Sequence, residues 1–122
     1  MIRMATGFLV LLEVAGGLAG SEAAPPKGVR ELKSFYQLNC VRCHGQDGGA
    51  LSPEGKPLKG FDFTSAEGMK GKTDEALART LRKGIFFGIA MPAFKDRLTE
   101  EEARVMVREI LRKAEKGKAI TP

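Results

Sequence analysis

Apolar side chains return at helical spacing in three stretches of this chain, and each stretch carries its own start or stop signal. In the first, Leu32, Tyr36 and Cys40 recur four residues apart with Phe35 beside them. That predicts a helix from about Val29 through Leu38 with one face turned to a core. The second begins at Thr73, a good N-cap, has Asp74 and Glu75 in its first turn, points Leu77 and Leu81 inward and stops at Gly84. The third opens on the capping-box pair Thr99 and Glu102 and runs to about Lys113, with Ala103, Met106, Val107, Ile110 and Leu111 as its buried stripe. The basic run from Arg112 suits the negative end of that helix and is then expected to fray.

Between these helices lie two segments with no regular period. Glycine and proline punctuate Gly45 to Thr73 so often that long regular elements are not expected, and a loop that long in a small domain usually wraps something. Ile85 to Arg97 is the opposite case, since Ile85, Phe86, Phe87, Ile89, Met91 and Phe94 make it more apolar than a solvated loop needs to be. No period-two alternation interrupts the helices, so the expected class is all-α with three to five short helices.

The 122 residues leave room for one small domain, and two cysteines make no disulfide framework. Residues 1–24 read as a secretory signal: Arg3, the apolar run Phe8 to Leu12, then small residues up to Ala23 and Ala24, where a cut is expected before Pro25. Glu13 shortens the apolar run, and an uncleaved N-terminus would instead anchor the protein to the membrane. The folded domain is then 25–122, with a core over about 29–113. No stretch reaches the roughly 20 apolar residues of a spanning helix. Loss of Arg3, Glu13 and Glu22 with the leader raises the formal charge from +5 to +6. In an exported protein that charge favours acidic protein surfaces over nucleic acid.

Cys40-Val41-Arg42-Cys43-His44 narrows the chemistry. Cys-x-x-Cys-His is the sequence form of covalent haem attachment, in which two thiols on one helical turn bond the porphyrin vinyls and the adjacent imidazole points at the iron. A redox dithiol would sit beside a β-α-β pattern, which is absent, and a zinc site would need a fourth ligand. His44 is the single histidine, so it is the expected proximal ligand and a second imidazole is excluded. Of five methionines, Met1 and Met4 fall in the leader and Met106 lies on a core stripe. Met69 has polar, flexible neighbours. Met91, stiffened by Pro92 within the apolar loop, is the expected distal ligand.

These residues, in this order, resemble the small class I c-type cytochromes of bacteria. The likeness rests on Cys40 to Gly45 after an aromatic-bearing helix, a glycine-rich loop, Gly88-Ile89-Ala90-Met91-Pro92-Ala93-Phe94, and Leu98-Thr99-Glu100-Glu101-Glu102 opening the last helix. It covers about Val29 to Lys113. It implies the cytochrome c fold, first and last helices crossing beside one covalent haem c, thioethers from Cys40 and Cys43, and His44 and Met91 on the iron. The implied function is single-electron transfer with redox proteins in the periplasm, without enzymatic chemistry. Alternatives are a haem subunit of a larger oxidoreductase, or a sensor or peroxidase with an open sixth position. In many relatives a prolyl carbonyl holds the proximal imidazole, and Pro57, then Pro53, are the candidates. Arg42, Lys56, Lys59, Lys83, Lys95 and Arg97 fall in segments expected to border the haem edge. Two departures stand out: Glu109 occupies a position often aromatic, so Ile110 must fill that contact, and Phe86-Phe87 is bulkier than the usual glycine-rich approach to the methionine.

Overall fold

The computed structural model describes residues 25–122, so the expected leader over 1–24 lies outside the described residues. Five helices follow in order: α1 Val29–Asn39, α2 Val41–His44, α3 Ala66–Met69, α4 Asp74–Lys83 and α5 Glu100–Met106. A widened, π-type turn over Val107–Leu111 continues α5, with Arg112 N donating to Val107 O at 2.9 Å, five residues back. The helical chain thus ends near Leu111, two residues before the expected Lys113. Among the described residues, strand-like pairing is confined to two isolated bridges, Leu51 with Pro57 and Ile85 with Met91.

Local chemistry explains each boundary. Gly28 N donates to the Glu31 carboxylate at 3.2 Å at the start of α1, and Asn39 Nδ2 donates to Phe35 O at 2.9 Å at its end. Thr73 Oγ1 accepts from Ala76 N and Gly84 closes α4. In α5 the capping box is complete: Thr99 Oγ1 accepts from Glu102 N at 3.1 Å, and the Glu102 carboxylate accepts from Thr99 N at 2.8 Å. The other Glu102 oxygen accepts from Lys27 N at 2.7 Å, tying the start of the domain to its last helix. Burial by itself would raise the Glu102 carboxyl, but hydrogen bonds from Thr99 and Lys27 outweigh it and hold the group below its ordinary value.

The stripes read from the sequence meet in one core. Leu32 and Tyr36 of α1 pack with Leu98, Met106 and Val107, all fully buried, and Leu81 of α4 closes the cluster. Each such side chain contributes roughly 1.5–3 kcal/mol by leaving water. Ile110 is buried in that cluster, while Glu109 stays outside and pairs with Lys113 at 2.6 Å, so the isoleucine does fill the contact. The buried Tyr36 hydroxyl donates to Gly45 O at 2.8 Å and locks α1 to the residue after α2.

One expectation needs correction. The chain end does not fray: Ile120 is buried, its N–H donates to Gln46 O at 2.7 Å, and Gly117 N donates to Asp47 at 2.9 Å. The bond from Gly117, with a second from Gly49, holds the Asp47 carboxyl below its usual range. The Gly45 to Thr73 segment holds no long regular element, as expected; its one helical turn is α3, which Ser65 caps by accepting from Gly68 N at 3.0 Å.

Candidate haem-binding site

One cavity of about 350 Å³ opens between α1–α2, α4 and the two long loops. Cys40, Cys43 and His44 form one wall, and Ile85, Ala90, Met91 and Pro92 come from the apolar loop. Leu77 and Leu81 of α4, Phe94 and Leu111 make the interior greasy. The four residues singled out from the sequence therefore line a single space although 47 positions separate His44 from Met91. Met69 is buried but lies outside this lining, and Met106 belongs to the core.

The His44 ring is held on two sides. Its Nδ1 lies 2.9 Å from Phe61 O. A carbonyl only accepts, so Nδ1 carries the proton and Nε2 keeps the lone pair that a metal requires. Phe63 stacks on the ring, with centroids 4.6 Å apart and planes 23° apart. Burial lowers the imidazole from its ordinary value against the opposing effect of the Phe61 bond, which favours the neutral, ligating form. The carbonyl that holds the imidazole is thus that of Phe61, not the expected Pro57 or Pro53. Leu58 N binds Ala50 O and Gly60 N binds Cys43 O, so the chain beyond Pro57 is drawn back across α2 and delivers Phe61 to the imidazole.

Gly60 makes that return feasible. A Cβ there would collide with Cys43 O and come within 2.6 Å of His44 Nδ1. Gly60 before Phe61, a position without a side chain beside an aromatic one, marks the close approach but not which carbonyl accepts from His44.

Both cysteines are free thiols, and burial, helped by Cys43, pushes Cys40 up to about 12. A thiol held protonated in this way is a poor nucleophile, so the environment of Cys40 does not suit a reactive redox dithiol. Among the described residues no three His, Cys, Asp or Glu side chains converge to hold a metal ion. A greasy cavity, two reduced thiols and one imidazole with a free Nε2 fit a haem bonded through its periphery. Of the basic residues expected at the edge, Lys59 lines the cavity, joined by Lys72, which the sequence reading missed. Arg97 is occupied in packing, bonded to Asn39 at 2.8 Å and stacked over Phe35.

Known proteins agree with this geometry. A family model described as cytochrome c oxidase, cbb3-type, subunit III matches residues 27–108. Cytochrome c6 from Leptolyngbya boryana is 36% identical over 83 residues, covering 67% of this chain and 88% of that protein. The KustC0563 c-type cytochrome superposes with a TM-score of 0.53 at 28% identity, over 69% of this chain and 96% of its own. The c-type cytochrome NirC shares the fold, with a TM-score of 0.51 at 24% identity, over 80% of this chain and 100% of its own. With its family model, its relative and its site in accord, the chain belongs to the small class I c-type cytochromes, whose cofactor is covalent haem c.

Proposed function

We propose that this cytochrome is an exported single-electron carrier in which Cys40 and Cys43 hold the haem by thioether bonds, His44 is the proximal iron ligand and Met91 the distal one. The observation that carries the reading is the shared cavity wall: the Cys-x-x-Cys-His turn and Met91 face one apolar space. When bound, the haem supplies a one-electron iron couple. The chain's own part is positional. Phe61 O fixes the proton on Nδ1 and so strengthens His44 as a donor. The Ile85–Met91 bridge holds Met91 in place, and Leu77, Leu81 and Phe94 keep water out. A thioether opposite an imidazole raises the potential relative to two imidazoles.

The leader over 1–24 would direct the protein to the periplasm, where its partners are redox proteins with acidic docking surfaces. Among the described residues no helix is long and apolar enough to cross a membrane. The matched family description names an oxidase subunit, which favours a second reading, a haem subunit that works inside a larger complex. Protein produced with a c-type maturation system tests the proposal through intact mass and a pyridine haemochrome spectrum. One covalent haem on a chain starting near Pro25 is expected. A haem-free product, or one retaining residues 1–24, would overturn the corresponding part, and co-elution with an oxidase on gel filtration would favour the subunit reading.

A further inference from the structure

Residues 112–122 follow the last helical turn, and they are tied at two points to the segments that hold the His44 ring. At the first point the Arg112 guanidinium donates to the Asp74 carboxylate at 2.8 Å, to Met69 O at 3.4 Å and to Lys72 O. The Lys72 ammonium lies 5.0 Å from the centre of the Phe61 ring, and Gly68 sits so close to that ring that a Cβ there would come within 2.9 Å of it. At the second point Ile120 and Gly117 bind Gln46 and Asp47, directly after the haem motif. Gly48 lies where these contacts converge: a Cβ on it would meet Ala114 Cβ at 3.1 Å and both Ile120 Cδ1 and Phe63 Cβ at 3.6 Å. Phe63 N then donates to Gly48 O at 2.8 Å.

We propose that this tail segment is a brace for the His44 imidazole, with Arg112 and Ile120 as positioning residues that act on the ring through Phe61 and Phe63. The inference rests on the reading of His44 as an iron ligand. The ring is held by the Phe61 carbonyl and by the face of Phe63, and both of those residues lie outside the helices. Gly45, Gly48 and Gly49 make up most of the turn that receives Phe63, and glycine gives a turn little stiffness of its own. Ala114 and Ile120 supply the apolar side chains that this turn lacks. Arg112 does the equivalent for the other support: its guanidinium spans two carbonyls and a carboxylate and fixes residues 69–74, from which Lys72 reaches over Phe61. Loss of either anchor lets Phe61 and Phe63 drift, and a less firmly oriented imidazole is a poorer donor to ferric iron. A tail that only added burial would change stability and leave the iron's redox equilibrium alone.

The test compares holoprotein variants by amide exchange, thermal unfolding and spectroelectrochemistry. Ile120→Ala should speed exchange of the Phe63 amide about tenfold more than that of Leu81 in α4. It should also shift the ferric-to-ferrous ratio about threefold toward ferrous, a rise of roughly 28 mV at about 59 mV per tenfold. Arg112→Ala should move the midpoint in the same direction, and Ile120→Val, which refills most of the space, should return both readings close to wild type. Glu102→Ala is the control, since it lowers stability from a position outside the cavity wall and should leave the midpoint unmoved. An unmoved midpoint in folded Ile120→Ala and Arg112→Ala overturns the proposal. So does an equal shift in Glu102→Ala, or Phe63 exchange that merely follows Leu81. If Ile120→Ala does not fold, Asp47→Asn, which has one carbonyl oxygen for the two donors Gly49 and Gly117, takes its place with the same expected outcomes. A wild type whose imidazole protons lack the ring-current shift of a haem ligand would mean that the assignment of His44 has failed; Phe63 exchange in Ile120→Ala then decides the brace alone.

Discussion

Replacing Gly60 by alanine should raise the reduction potential and destabilise the fold together, because one added methyl group strikes the support of His44, the proposed iron ligand. The new Cβ would lie 2.6 Å from His44 Nδ1, where ordinary contact begins at 3.4 Å, and would overlap Cys43 O. Cys43 and His44 cannot give way, since both N–H groups bind Cys40 O and His44 O accepts from Ala50 N. The loop must retreat by about 0.8 Å, which stretches the 2.9 Å bond between Nδ1 and Phe61 O beyond hydrogen-bonding range. The Gly60 N to Cys43 O bond, 2.7 Å, goes with it. Two bonds at about 1 kcal/mol each, plus residual strain, predict a loss of roughly 2–4 kcal/mol. His44 also becomes a poorer donor, which disfavours the ferric state. If the lost bond is worth about 1 kcal/mol more in ferric than in ferrous protein, the midpoint rises by roughly 40 mV, given about 59 mV per tenfold for one electron. Spectroelectrochemistry and thermal unfolding of the holoprotein measure both. Gly71→Ala is the control: it strains a φ of 79 but meets nothing within 4 Å, so it should lose about 1 kcal/mol with no change in potential. A folded Gly60→Ala protein with an unmoved midpoint would refute the reasoning.

Glu102→Ala removes the capping box and the tie to Lys27 and should cost roughly 2–3 kcal/mol in denaturant unfolding. Because the folded Glu102 carboxyl is depressed below 4.5, its contribution is present above that pH and fades as pH falls through the lower, folded value; wild type and Glu102→Gln should therefore converge in stability in acid. Tyr36→Phe strands Gly45 O and should cost about 1–2 kcal/mol. In the wild type, burial first and then the nearby Cys40 and Asp47 keep the Tyr36 phenol protonated above its ordinary value of 10.0, so stability should fall above that pH as only the unfolded phenol ionises, and Tyr36→Phe should show a shallower decline. Gly84→Ala would drive a Cβ into Met91 O and within 2.9 Å of Ala93 N; it should weaken the methionine bond, seen as a lower threshold for imidazole displacement in the ferric protein.

Helix ends and core stripes were legible because they are written locally. Thr73, Thr99, Glu102 and Gly84 act on neighbours within four residues, and the stripes of α1, α4 and α5 announce themselves by spacing. That Cys40, Cys43, His44 and Met91 share one cavity was legible because few residue types suit the chemistry expected of them. The proximal carbonyl was not, since every residue has one and only the path of the returning loop decides which reaches His44. The burial of Met69 was not readable either, since it depends on the turn of α3 rather than on its polar neighbours. The docked tail was missed because the anchors Gln46 and Asp47 lie some 70 residues from Gly117 and Ile120.

The central claim is that Met91 completes the iron's coordination opposite His44, and the ferric absorption spectrum of the holoprotein tests it most directly. Wild type and Met69→Leu should be low-spin with the methionine–iron charge-transfer band, and Met91→Leu should lose that band while keeping its covalent haem. A band that survives in Met91→Leu, or a high-spin wild type without one, would contradict the account and point to an open sixth position.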